Sequence, residues 1–309
     1  MSDLKPLFEL FTTAGWAPPA IPEAAHVVAY GHRLASLQSL PSVRVEADAS
    51  DSGIDARIVI AAGVRVDQPI HLCFGLYEQF GMQNVRLVLT LEPRAQATVW
   101  AHCLFATPLA ARHAMQGEIQ VMEGALLHHQ EAHYHGTSGD IQVIPHARVS
   151  LGKGARYLAD FSLVQGRVGH LDIDYSVDVG EAAVAELTSR VYGYGSDAIR
   201  IRERLDLNGA GARGLVKTRV AVRDEARAEV FGIMEGNAAG ARGHVDCMEI
   251  VRDRAEVSAV PEVRVRHPQA KVTHEAAIGS VDSRQLETLM ARGLAPEEAV
   301  DLIVRGMLA

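Results

Sequence analysis

Chemistry in this chain is concentrated in a few short stretches. The densest is LLHHQEAHYHG, which carries His128, His129, Glu131, His133 and His135. If that stretch is extended, His129, Glu131, His133 and His135 project from one face, with alternate residues about 7 Å apart. Imidazole and carboxylate donors suit Zn, Ni, Fe or Cu. A row along one strand does not close a coordination sphere, because ligands must converge to within ~2.3 Å of the ion. His102 and Cys103, on a neighbouring strand, are the residues that would have to approach. The run at residues 128–135 therefore supports two readings: a metal-binding β-protein, sensor or enzyme, or simply a solvated polar strand face. The cysteines, Cys73, Cys103 and Cys247, are far apart and odd in number. They form neither a disulfide framework nor a CxxC metal knuckle. Cys73 and Cys103 read as buried apolar thiols.

These residues need a frame. The chain has 309 residues, 22% charged and 48% hydrophobic, as in an ordinary globular protein. A net charge of -8 without a basic run argues against nucleic-acid binding through phosphate neutralisation. No apolar stretch has the ~20 residues of a membrane span, and MSDLKPLFELF lacks the basic start and long apolar core of a signal peptide. A cytoplasmic location is expected.

Leu4, Leu7, Phe8 and Phe11 recur at helical spacing until Gly15, Pro18 and Pro19. Pro22 then suits a first helical position, and Val27, Tyr30, Leu34 and Leu37 predict a second helix that stops at Pro41. From about residue 42 the pattern changes to short alternating runs such as IDARIVI, VRLVLTL, LDIDYSVDV and AIRIRERLDL, the signature of half-buried strands. No crossover helix fits between Pro41 and Val281, which excludes Rossmann and TIM-type folds. A turn followed by a small residue and a strand recurs, with Ala95, Ala125, Ala147, Ala155, Ala183, Ala212, Ala226, Ala255 and Ala270 at the joint. Their gaps run from 8 to 30 residues, so no strict repeat is visible. The pattern favours an irregular β-solenoid with small residues at tight corners, a β-sandwich being the rival. A solenoid needs covers at its ends, and helices at both ends of the chain would supply them.

Near the end, Asp282 or Ser283 can cap a helix carrying Leu286, Leu289 and Met290, with Gly293 just past it. Pro296, Glu297 and Glu298 open another helix whose apolar side is Ala299, Val300, Ile303, Val304 and Met307. That stripe is a packing face or a docking face for another protein.

Residues 273–308 carry a family resemblance. A strand ending in His274-Glu275-Ala276-Ala277 is followed by Ile278-Gly279, Asp282, a helix closing on Arg292-Gly293, and a helix with Glu297, Glu298, Ala299 and Gly306. This order resembles the C-terminal signature of the SufB/SufD family of iron–sulfur cluster assembly scaffolds, with Ala277 and Ile278 in place of its Thr and Val. GVRVDQPIHLCFG at residues 63–75 and residues 214–232 echo the family more weakly. The resemblance implies a right-handed parallel β-helix with short helical segments at both termini. It suggests a division into residues 1–41 (helical), 42–281 (β-helix core) and 282–309 (cap and docking segment). It also implies a scaffold or partner subunit, not an enzyme, in Suf-type assembly. Such a subunit docks a SufC-like ATPase, pairs as a homodimer or as a heterodimer with a SufB/SufD-type paralogue, and holds a transient Fe–S cluster or iron. No GxxxxGK[ST] motif occurs, so any nucleotide belongs to the partner.

The family's SufB members use a late-strand Cys and the Glu of the HEA motif, and its SufD members offer the His. His274 and Glu275 supply the last two, and adjacent strand residues face opposite ways. Counting back without a gap places Asp246, not Cys247, at the cysteine position. Only a bulge would bring Cys247 onto that face. The chain thus resembles SufD or a divergent paralogue. The stripe Leu286, Leu289, Met290, Val300, Ile303, Val304 and Met307 is the expected partner-docking surface.

Overall fold

In the computed structural model, residues 4–19 and 21–309 are described; residues 1–3 and 20 of the expected N-terminal segment lie outside them. Helix α1 (Lys5–Thr13) and a short 3-10 turn (Ile21–Glu23) precede nineteen strands. These are β1 (His26–Tyr30), β2 (Arg33–Gln38), β3 (Val43–Ser50), β4 (Gly53–Ile60), β5 (Ile70–Gly75), β6 (Phe80–Leu91) and β7 (Gln96–Phe105). There follow β8 (Ala110–Val121), β9 (Leu126–His135), β10 (Asp140–Leu151), β11 (Arg156–Gln165), β12 (His170–Val179) and β13 (Val184–Gly193). Last come β14 (Ala198–Leu207), β15 (Arg213–Val222), β16 (Arg227–Gly236), β17 (Arg242–Val251), β18 (Glu256–Val265) and β19 (Lys271–Gly279), then α2 (Ser283–Met290) and α3 (Pro296–Met307).

The chain winds as a parallel β-solenoid of about eight turns. Odd strands from β5 onward stack in a ten-stranded sheet that begins β2-β1-β5, and even strands stack in a nine-stranded sheet that begins β3-β4-β6. Alternation puts one apolar face of each strand between the sheets, so Leu127, Ile141, Ile173, Leu187, Ile201 and Val216 fill one continuous core. One turn takes 28–30 residues, as seen where Arg156 pairs with Val184, Arg213 with Arg242 and Gln96 with Leu126.

The recurrent alanines are the corners. Ala95, Ala125, Ala155, Ala183, Ala212, Ala241 and Ala270 each donate their N–H to the carbonyl three residues earlier, closing the same turn in successive windings. The residue before several of them has positive φ, as in Arg94, Gly124 and Ala182. Ala226 and Ala255 occupy a second corner, and Asp197 takes the place of alanine there. Within each corner the repeat is regular, at 28–30 residues. It looked uneven along the chain because two corners alternate and Ala147 lies inside a strand.

The expected second helix does not form. Residues 26–38 fold as an antiparallel hairpin of β1 and β2, with Val27 directly opposite Leu37, so strands begin at His26, ahead of residue 42. HVVAY is buried along its whole length, and a β-branched apolar run with Gly31 at φ +55 prefers a buried strand and turn to a helix.

Nor do the terminal helices cap the ends of the solenoid. Both lie on the outer face of the ten-stranded sheet. Leu7, Leu10 and Phe11 of α1 pack on Val28, Cys73 and Leu104. Val300 and Val304 of α3 pack on Ala221 and Ile250. The last turn, β18 and β19, has no further winding on it.

Candidate functional site

The family-like residues gather at this open last turn. β17 and β19 run in unbroken parallel register, pairing Val245 with His274, Asp246 with Glu275 and Cys247 with Ala276. No bulge intervenes, so Cys247 stays on the inner face, 2% exposed. Asp246 and Glu275 share the outer face. Arg219 donates to the Asp246 carboxylate and, at 3.0 Å, to its carbonyl. His274 belongs to the inner column, but with no turn above it His274 is exposed, as is Glu275. The four candidates therefore divide: His274, Glu275 and Asp246 meet solvent at the rim, whereas Cys247 is sealed one turn below.

Around Cys247 lies an interior polar column. Ser189 and Thr218 donate to Glu203 at 2.7 and 3.0 Å. Glu203 is fully buried, which pushes its carboxyl up to about 7 despite those two hydrogen bonds. Burial likewise pushes the Cys247 thiol up to about 12, with Glu249 and Glu203 adding to the shift. A buried protonated thiol is a poor nucleophile unless a base or a metal ion takes its proton. Glu249, buried without a hydrogen-bond partner on either oxygen, is also raised to about 7 by desolvation.

The His row is a strand, β9, and its ligand face points inward: His129, Glu131, His133 and His135 are all buried. A solvated polar face is thus excluded. Cys103 on β7 pairs with His133, and Cys103, Glu131 and His133 present donor atoms within 4.8 Å of one another. His102 faces the other way, against Phe11, Trp16 and His71 beneath α1. His133 donates to Glu131 at 2.8 Å and Tyr175 donates to it at 3.0 Å. Burial alone would raise the Glu131 carboxyl, but these bonds and the nearby His133 and His129 hold it below its usual range. Desolvation, reinforced by His133, pushes His113 and His135 down to about 3, so both are neutral imidazoles.

The C-terminal stripe also divides. Asp282 caps α2 by accepting from the Gln285 N–H at 2.8 Å, and the Glu298 carboxylate accepts from the Ala295 N–H at the start of α3. Val300 and Val304 are consumed in holding α3 on the sheet, with Leu286 and Met307 half-buried beside them. What remains outward is Met290, joined by Leu302, which is 50% exposed, with Leu289 and Ile303 half-buried beside them. A cleft of about 670 Å³ lies between this helical pair and the last turn, lined by Arg219, Glu249, Ile278, Gln285, Ile303 and Met307.

His113, Glu203 and Glu249 were not singled out from sequence. Each nevertheless sits at the inward parity of its strand, as in AIRIRERLDL, where Glu203 falls in line with Ile199, Ile201, Leu205 and Leu207. A polar residue in the apolar phase of a strand is the signal that marks it.

A family model described as SUF system FeS cluster assembly, SufBD core domain, matches residues 75–307. The chain belongs to the SufBD family. Two curated SufBD family proteins of iron–sulfur cluster assembly are each 36% identical to it. The one from Methanocaldococcus jannaschii aligns over 89% of this chain and 87% of its own. The one from Pyrococcus horikoshii aligns over 92% and 86%. The SufBD match begins at the end of β5 and runs through α3, so it covers the open turn, the His row and the helical pair together. Among the described residues no helix is long and apolar enough to cross a membrane.

Proposed function

We propose that this SufBD protein is a cytoplasmic scaffold or partner subunit of Suf-type cluster assembly, with iron or a nascent Fe–S cluster as cargo rather than a resident cofactor. The observation that carries this reading is the open last turn, where exposed His274 and Glu275 lie on a strand with an unpaired edge, with half-exposed Asp246 one strand below beside Glu275. Imidazole and carboxylate are competent iron ligands, and a second copy or a paralogue can complete the interrupted core while adding ligands across the junction. Residues 282–309 form the docking segment for a SufC-like ATPase. Leu289, Met290, Leu302 and Ile303 are its contact surface, and Val300 and Val304 hold that surface in place. The buried His row gives an enzyme no surface at which to meet a substrate, which favours the scaffold reading.

Co-expression with a SufC-like ATPase, followed by anaerobic reconstitution with iron and sulfide, tests the proposal. The expected result is a stable complex whose cluster absorption falls on His274→Ala or Glu275→Ala and persists in Cys247→Ser. No complex and no cluster absorption would overturn it.

A further inference from the structure

The interior of the solenoid holds a group of donors that the last turn does not use. Cys103 and His133 are direct neighbours on β7 and β9, strands that lie about 4.8 Å apart. Glu131 stands two residues from His133 on the same inward face. From the opposite sheet, β8 sends His113 across the core, its Nε2 3.7 Å from the Cys103 Sγ. All four residues are at most 3% exposed.

As a purely structural feature the group is poorly satisfied. His113 Nδ1 and His133 Nδ1 have no hydrogen-bond partner, and neither do His129 Nε2 and His135 Nε2 beside them. An unpaired buried polar atom costs roughly 1–3 kcal/mol, and the surrounding walls, Phe105 and Phe161, offer nothing to bond to.

We propose that Cys103, His113, Glu131 and His133 form a buried binding site for a divalent transition metal of the zinc or ferrous class. Thiolate, two imidazoles and a carboxylate make a borderline-soft set matched to such ions. Ligand atoms around a tetrahedral ion lie roughly 3.3–3.8 Å apart. Cys103, Glu131 and His133 offer donor atoms within 4.8 Å of one another; His113, whose Nε2 is 3.7 Å from the Cys103 Sγ, lies outside that group, so its ring and the others must draw together to close a tetrahedron. Thiolate and carboxylate together carry two negative charges, so the occupied site is neutral inside an apolar core. Binding removes the Cys103 thiol proton, with no electron transfer. Tyr175, donating to the second Glu131 oxygen, orients the carboxylate as an outer partner.

The site is separate from the cargo-binding rim. β9 and β19 are five strand spacings apart in the same sheet, roughly 24 Å. Its enclosure means the ion enters as the chain folds.

Full-length protein expressed with added zinc or iron, and refolded anaerobically with Zn²⁺, Fe²⁺ or Co²⁺, tests the site. We expect one ion per chain and slow loss to chelators. X-ray absorption of the wild type should show one sulfur near 2.3 Å and three N or O ligands near 2.0 Å. The Co²⁺ form should show a thiolate charge-transfer band that Cys103→Ser abolishes. Metal content should fall at least tenfold in His113→Gln, and remain one per chain in Cys247→Ser. Absence of retained metal under every loading condition would overturn the proposal. So would a wild-type absorption spectrum without sulfur, or a thiolate band that survives Cys103→Ser. The wild-type spectrum decides the matter if a variant fails to fold.

Discussion

Glu203 illustrates how a single inward-facing carboxylate shapes the molecule's response to pH. Its folded value of about 7 lies above the ordinary 4.5 because burial disfavours the charge more than Ser189 and Thr218 can offset. Its stabilising share is complete below about pH 4.5 and is lost as pH rises through 7. Glu203→Gln should remove that part of the decline and add about 1–3 kcal/mol at pH 8. Urea melts at pH 5 and 8 check this, and an unchanged difference between the two would refute it. Glu249, raised to a similar value, leaves a residual slope in the variant. Asp197 is a buried carboxylate with a full set of partners. At its alanine corner it accepts from the Val168, Gly169 and Tyr194 N–H groups and pairs with Arg167 at 2.7 Å. Asp197→Ala strands these donors and should cost about 3 kcal/mol, read as a lower denaturation midpoint. The inner or outer parity of such residues was written in the strand alternation. Which groups meet across the core was not, because the facing strand belongs to the other sheet and its phase is set by corner geometry.

At the scale of elements, the paired helices α2 and α3 divide one apolar stripe into a packed part and an exposed part. Periodicity identifies an apolar face, but not whether a sheet or a foreign protein covers it. Packing settles Val300 and Val304, which lie on Ala221 and Ile250, and leaves Leu302 half exposed. Leu302→Glu should therefore shift the melting temperature by no more than about 1 °C, since surface changes cost within ~0.5 kcal/mol, while lowering ATPase capture at least tenfold. Val304→Asp should melt the helical pair away from the sheet and lose capture together with local hydrogen-exchange protection. Equal capture by wild type and Leu302→Glu would move the docking surface elsewhere. The N-terminal hairpin teaches the converse lesson. Val27 and Leu37 match a helical period, yet they meet as cross-strand neighbours, because β-branched burial outweighs a weak periodic match over so short a run.

For the whole molecule, the solenoid was legible because turn, small residue and strand recur, and each winding buries its inner face only on the next. That same rule makes the last turn unstable in isolation. Its inward column includes Val257, Ala259, Val263 and Val265 on β18 and Val272, Ala276 and Ile278 on β19, in register with inward-facing positions of the preceding turn. Val265 is 51% and Ile278 49% exposed, and both strands present an unpaired edge to solvent, an arrangement that proteins normally cover. A two-fold pairing of open ends would bury each such side chain twice, at up to about 1.5–3 kcal/mol for full burial of each. The protein should therefore sediment as a dimer at micromolar concentration, or recruit a paralogue through this end. Ile278→Lys and Val265→Glu should each yield a folded monomer, with the main unfolding transition unchanged, because neither position supports the turns beneath. A monomeric wild type at tens of micromolar that forms no complex with a paralogue would show that the open end is not an interface. The same result would leave His274 and Glu275 without a second set of ligands.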